Sequence, residues 1–500
     1  MSDSDDPQSP TGSVLADMLA EAARRWPQAP ALGNSDGTGE LTYRALRQLC
    51  DELAKQLAAA GLQPGQAVLL AAHNTEAYVV ALLGAAQAGM VIAPIDPTLP
   101  ESEIDLRARQ LGARAVLTDR APGSDAPYPS IEVAVSDSAV SASLTGTLRP
   151  AADVVSDLTK TDALVMFTAG TTGRPKMVPM TQDNVAASID GICATYDFGP
   201  RDRTLAIMPF FHGHGLFAVL LATLAAGGRI TLPARGKFSA HTFWDEMIAA
   251  EATWMTAVPT MYEICLTHTI PDPESLPAVR FLRSCSAPLS DATAARLSEV
   301  FDAPVIPAYG MTESCHQVAA EPIPARGAPK SDSVGFATSG DELSISEHGE
   351  VLVRGATVAR GYLGDSTKTA QAWHEGWLHT GDLGRLGADG RLYLTGRIKN
   401  IINRGGEKIS PEHIEEAISA IPGVLEVAAF GVPDPILGER VAVAVVPGTD
   451  SLTTIAVGDG AAARLARFEV PETVLLVESL PHTAKGALDR AAITARFGHS

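Results

Sequence analysis

With 500 residues, 46% hydrophobic and 19% charged, the chain has too much apolar material for a disordered protein and too much length for one ordinary core, so two or three domains are expected. Its net charge of −20, without a basic block, argues against a nucleic-acid partner and means that any anionic substrate needs a locally positive site.

In chain order, the acidic start Met1-Ser-Asp-Ser-Asp-Asp6 is the opposite of a signal peptide, and residues 1–12 read as a disordered tail. From 13 to 396, short apolar runs alternate with helix-like segments. Strands are expected at 67–72, 115–118, 163–166, 204–208 and 229–232, and Ala-rich helices at 75–89, 216–226 and 240–250. That alternation points to α/β layers with largely parallel strands. The most apolar stretch, 77–95, is broken by Gly84, Gln87, Gly89 and Pro94. A membrane span needs roughly 20 cleaner residues, so the stretch reads as a buried helix, a turn and a strand, with no membrane partner. Residues 120–160 and 448–460 show no regular pattern. After 335 the pattern changes: 349–355 and 390–396 read as short strands between turns, and a smaller α+β unit fills 397–500. Cys50, Cys193, Cys265, Cys285 and Cys315 are scattered without metal spacing, as expected of free thiols in the cytoplasm.

The most informative segment is Phe167-Thr168-Ala169-Gly170-Thr171-Thr172-Gly173-Arg174-Pro175-Lys176, which follows the apolar run 163–166. Glycines and small hydroxyls leave backbone N–H groups and side chains open to an oxyanion, and Arg174 and Lys176 add positive charge. The combination suits a triphosphate. It is not a Walker loop, because Met177 stands where a Mg²⁺-binding Ser or Thr would follow the lysine.

Four further segments occur in order: Tyr309-Gly-Met-Thr-Glu-Ser314, Gly376-Trp-Leu-His-Thr-Gly-Asp382, Gly396-Arg-Ile-Lys-Asn400 and Asn403-Arg-Gly-Gly-Glu-Lys-Ile-Ser-Pro411. Together with the Gly/Thr segment they closely resemble the adenylate-forming superfamily of acyl-CoA synthetases, luciferases and adenylation domains, over residues 14–491. The resemblance implies a large N-terminal α/β domain with several sheets, 13–396, and a small mobile C-terminal α+β lid, 397–500. It also implies a two-step ligase that uses ATP and Mg²⁺: a carboxylate attacks the α-phosphate, and a thiol, usually that of CoA, then displaces AMP. Carried over residue by residue, it assigns the nucleotide to Thr168, Gly170, Thr171, Thr172, Gly173, Lys176, Ser286, Ala287, Tyr309, Gly310, Asp382 and Arg397. Glu313 is the implied Mg²⁺ ligand, Thr312 lies beside the α-phosphate, Asp382 takes the ribose hydroxyls with Arg397 near the same sugar, and Tyr309 offers a flat face to adenine. Thr312, Glu313, His214 and Lys408 are the implied catalytic set, Lys399 the hinge, and Gly405 and Gly406 the pantetheine channel.

Within the superfamily, the segments Pro209-Phe-Phe-His-Gly-His-Gly-Leu216 and Arg283-Ser-Cys-Ser-Ala-Pro288 look most like oxalyl-CoA synthetases. That likeness implies a compact polar acid pocket of His214, Ser286 and His316, in which two imidazoles and a hydroxyl bind a small oxyanion. His212 and His214 also have a spacing seen at metal sites, but no third ligand accompanies them.

Three departures stand out. The C-terminal family motif, roughly Pro-Lys-Thr-Ala-Ser-Gly-Lys, is Pro481-His-Thr-Ala-Lys-Gly-Ala487 here, so the lysine expected to bridge carboxylate and α-phosphate is Ala487. Losing one such preorganised donor costs roughly 10²–10³ in rate, and Lys485 lies two residues away. Ala169 replaces the usual serine, and Met177 the usual glycine, of the phosphate loop. Three function classes therefore stand: a ligase for a small acid with CoA as acceptor, a diazotase that adenylates nitrite for an aryl amine, and a nucleotide-binding homologue without catalysis. A monomer or homodimer is expected.

Overall fold

Strands buried on both faces need no alternation, and Ala67–Ala71 is buried at every position. It lies in a seven-stranded sheet ordered Ala139–Thr145, Ser130–Ser136, Val116–Thr118, Ala67–Ala71, Val91–Pro94, Asp162–Thr168, Lys176–Thr181. The inner strands are parallel, and each edge is an antiparallel hairpin. The computed structural model describes residues 12–121, 123, 126–136, 139–150, 157–168, 175–324, 332–405, 407–483 and 488–498.

A five-stranded sheet follows, ordered Trp254–Ala257, Phe281–Ser284, Val305–Tyr309, Ala319–Ala320, Phe336–Ala337, its first three strands parallel. Its buried strands share one large core with the seven-stranded sheet. A third sheet is built on Trp377–Leu386, which pairs antiparallel with Glu350–Arg354 and with Leu392–Arg397. A four-stranded sheet joins Pro30–Asn34 to Arg229–Leu232.

The chain leaves the third sheet at Arg397, makes the turn Ile398–Asn400 and enters a separate sheet at Ile402. There the long hairpin Val424–Asp434 with Gly438–Pro447 is covered on one face by Ile414 and Ile418 and on the other by Ile493 and Phe497. A sheet with both faces covered has its own core. Mixed α/β layering with a small C-terminal α+β unit is thus the observed class.

The expected helices at 75–89 and 240–250 are Glu76–Gln87 and Phe243–Ala249. The strand expected at 204–208 is only Arg203–Leu205. The helix expected at 216–226 is a π-helix, His214–Leu221, followed by one α-turn, Ala222–Ala225. The unreadable 120–160 region contains the hairpin Ser130–Ser136 with Ala139–Thr145, and 448–460 contains most of the helix Thr454–Ala462. No helix among the described residues is long and apolar enough to cross a membrane, and all five cysteines are unpaired.

Candidate active site

A charged residue in a buried strand must be held by polar partners. Arg283 lies in Phe281–Ser284 with no exposed surface, and its guanidinium organises the pocket. Nε donates to the Tyr196 hydroxyl at 2.9 Å. Nη1 donates to His214 Nε2 at 3.0 Å and to Thr256 Oγ1 at 3.2 Å, and Nη2 donates to His316 Nε2 at 3.0 Å and to Gln317 Oε1 at 3.1 Å. No carboxylate pairs with it among the described residues. The imidazoles of His214 and His316 stack at 5.2 Å, and Thr256 Oγ1 sits 2.5 Å from His214 Nε2. Burial first, and then the Arg283 charge, holds both histidines well below the usual imidazole range, so both are neutral. The exposed Ser286 places its hydroxyl 3.4 Å from His214 Nδ1. Ser286 and His316 sit at φ of +77° and +86°, a conformation that costs non-glycine residues energy and gathers at functional sites.

His214 opens the π-helix, a distortion that single-turn functional sites often carry. Its neighbour Gly215 is required by the same turn, since a Cβ there would lie 2.2 Å from the Pro209 carbonyl oxygen.

Beside this pocket lies a strip of ionic groups. Thr168 pairs directly with Lys176 across the mouth of the hairpin Asp162–Thr168 with Lys176–Thr181, and Thr168 Oγ1 is buried without a hydrogen-bond partner among the described residues. Lys176 Nζ lies 4.4 Å above the Tyr362 ring and donates to its hydroxyl at 3.1 Å. That hydroxyl donates to Glu313 Oε1 at 2.8 Å. Burial, and then the Glu313 charge, pushes the Tyr362 hydroxyl up, so it remains a donor. Further along, Asp382 is buried with both oxygens engaged: the Tyr309 hydroxyl donates to Oδ2 and Arg397 Nε to Oδ1, each at 2.7 Å. Burial raises the Asp382 carboxyl against the lowering effect of Arg397.

Gly310 joins the two regions. A Cβ there would lie 1.4 Å from the His316 carbonyl oxygen, so no other residue fits without moving His316.

The structure therefore gathers His214, Ser286 and His316 around Arg283, and sets Thr168, Lys176, Glu313, Tyr309, Asp382 and Arg397 along one strip. Thr312 precedes Glu313 in the turn Thr312–Ser314, and the half-buried Ala287 follows Ser286. Tyr309 presents less open face than expected: its ring is buried and its hydroxyl is tied to Asp382. Lys408 is not brought to this cluster; it is exposed on Glu407–Ile409, in the small unit. Gly170, Thr171, Thr172, Gly173, Arg174, Gly406, Lys485 and Ala487 lie outside the described residues. His212 is half-buried in the turn before the π-helix, and no cluster of metal-binding side chains occurs among the described residues. The sequence reading missed Arg283 and Tyr362. For Arg283 there was a signal: an arginine inside the apolar run Phe281-Leu-Arg-Ser284. For Tyr362 there was none.

Comparison with known proteins agrees with this geometry. Residues 19–363 match the family described as AMP-binding enzyme, and 413–487 match its C-terminal domain. An oxalate–CoA ligase of Arabidopsis thaliana is 37% identical, covering 97% of this chain and 98% of that protein. A sulfoacetate–CoA ligase of Cupriavidus necator is 33% identical, covering 95% of this chain and 96% of that protein. ATP-bound MatB from Rhodopseudomonas palustris superposes with a TM-score of 0.84 at 27% identity, covering 97% of this chain and 99% of that one. The chain belongs to the AMP-binding enzyme family, the adenylate-forming ligases that use ATP and CoA.

Proposed function

We propose that this ligase activates a small oxyanionic acid, with oxalate the best fit, as its AMP adenylate with release of pyrophosphate, and then passes the acyl group to CoA. The observation that carries the reading is the Arg283-backed pair of neutral imidazoles: a compact polar pocket in which an alkyl chain would leave buried donors unpaired. The relatives named for oxalate and sulfoacetate support it.

In this reading, His214, Ser286 and His316 hold the acid so that one carboxylate oxygen faces the α-phosphate. Thr168 and Lys176, with the Gly/Thr segment between them, hold the β,γ-phosphates; the unpartnered Thr168 hydroxyl fits that role. Glu313 is the oxygen ligand that would hold Mg²⁺, which would supply positive charge against the phosphates. Thr312 donates to the α-phosphate, and Asp382 accepts from the ribose hydroxyls. Residues 13–396 and 397–500 act as two moving units with Lys399 at the hinge, and rotation brings the turn at Gly405 and Lys408 to the thiol's approach. Attack by the thiolate sulfur on the acyl carbonyl then breaks the bond to AMP.

Ala487 favours one second reading. Nitrite has no acyl part to orient, so its adenylation depends less on the missing lysine, and an aryl amine would then be the acceptor. AMP formation measured in parallel with oxalate plus CoA, nitrite plus an aryl amine, and a long alkyl acid plus CoA separates the cases. Turnover with nitrite and none with oxalate overturns the first reading; preference for the alkyl acid overturns both.

A further inference from the structure

We propose that Arg283 is a positioning residue that makes the acid pocket selective for a dianion: from behind, it fixes the tautomer of His214 and His316 and supplies the charge that neither imidazole carries. The proposal rests on reading this pocket as the acid site.

An imidazole nitrogen that receives a guanidinium N–H holds no proton of its own. Both Nε2 atoms receive Arg283 N–H groups at 3.0 Å, so both rings carry their proton on Nδ1. On His214 that atom faces the Ser286 hydroxyl, and on His316 no hydrogen bond engages it among the described residues. The pocket thus presents N–H and O–H donors. Its only cation among the described residues is Arg283, whose acceptors are all neutral: two imidazoles, Thr256, Tyr196 and Gln317. A buried charge without a counter-ion is costly in a low-dielectric interior, and an anion placed against the imidazoles relieves that cost through polarised hydrogen bonds. Adenylation consumes the charge of one carboxylate. Only an acid with a second anionic group keeps Arg283 compensated afterwards. Arg283 itself is fully buried and does not touch the ligand.

Among the described residues, the groups facing the two rings are Arg283, His212, Thr256, Ser286 and the opposite imidazole, and none is a carboxylate. With Arg283 in place, neither ring charges near neutral pH. Without it, both rings lose the second cause of their lowered range and move up from it, while burial still holds them below an ordinary imidazole.

The test uses the full chain carrying Arg283→Met or Arg283→Lys, with MgATP calorimetry to verify the folded nucleotide site. AMP formation is followed with oxalate and with glyoxylate, a monoanion of nearly the same size, from pH 5.5 to 8.5. For Arg283→Met the expected result is a loss of roughly 10²-fold in kcat/KM for oxalate, mostly in KM, with glyoxylate changed by less than about fivefold. Oxalate KM should depend more steeply on falling pH in the variant than in the wild type, because imidazoles freed of the guanidinium charge protonate more readily. If the Met variant fails to bind MgATP, Arg283→Lys decides, since it keeps charge but loses the fork: retained preference for oxalate supports the proposal and lost preference overturns it. A Met variant that loses both acids equally overturns this proposal alone. A wild type indifferent to oxalate overturns the acid-site reading and this proposal together.

Discussion

Asp382→Ala tests the nucleotide strip where its geometry is most complete. The carboxylate receives the Tyr309 hydroxyl and Arg397 Nε at 2.7 Å each, so a ribose arriving at Asp382 exchanges hydrogen bonds and does not simply add them. A net hydrogen bond of this exchanged kind contributes about 0.5–1.5 kcal/mol, and two ribose hydroxyls therefore contribute about 1–3 kcal/mol, or roughly 5- to 150-fold in Kd. The variant also strands the buried Tyr309 hydroxyl without an acceptor, at about 1–3 kcal/mol of stability, while the half-exposed Arg397 side chain is simply resolvated. Removal of a buried carboxylate offsets part of that cost, so folding should weaken less than nucleotide binding. Calorimetric titration with MgATP, next to urea unfolding of the same preparation, reads both quantities. Unchanged ATP affinity in a folded Asp382→Ala protein would refute the assignment of Asp382 to the ribose.

Three other outcomes are expected. Ala487→Lys should raise acid adenylation by roughly 10²-fold or more, by restoring a fixed donor to the α-phosphate, while thioester formation from a supplied adenylate changes little; ATP–pyrophosphate exchange reads the first and thioester yield the second. Gly310→Ala forces a Cβ against the His316 carbonyl and should abolish acid activation and lower the unfolding midpoint; an active, equally stable variant would show that this contact yields. Glu263, in the helix Pro259–Thr267, has its carboxyl pushed up to about 7 by burial and then by the Glu426 charge, against Thr293 and His482. A carboxyl raised in the fold is harmless below its unfolded value of about 4.5 and destabilises as pH rises through about 7, by at most about 3 kcal/mol. Glu263→Gln should therefore gain stability at pH 8 relative to the wild type and not at pH 4.5; equal urea midpoints at pH 8 would contradict this.

The parallel strands were legible because burial on both faces leaves an unbroken apolar run, as in Ala67–Ala71. The hairpin Ser130–Ser136 with Ala139–Thr145 was not, because its outer strand lies at a sheet edge, where it is mostly exposed and its apolar run is broken by Ser141 and Ser143. The helix Thr454–Ala462 contains Gly458 and Gly460, which weaken the local helical signal and leave tertiary packing to decide. The π-helix at His214 is set by the close approach of Gly215 to Pro209, which no periodicity reveals. In the pocket, His214 and His316 were legible from the resemblance, but the hub that binds them was not. Arg283 meets partners from segments separated by 27 to 87 positions in sequence, and only folding brings them together.

The stretch from Tyr309 to His316 touches Asp382 at one end, Tyr362 through Glu313 in the middle and Arg283 at the other. In the proposed function, acid recognition and nucleotide handling therefore share one short loop. On that proposal, a change at position 316 is expected to reach the nucleotide residues too, because the His316 carbonyl packs directly on Gly310. Position 214 is carried on a different element, the π-helix, and is linked to position 316 through the Arg283 guanidinium that both share.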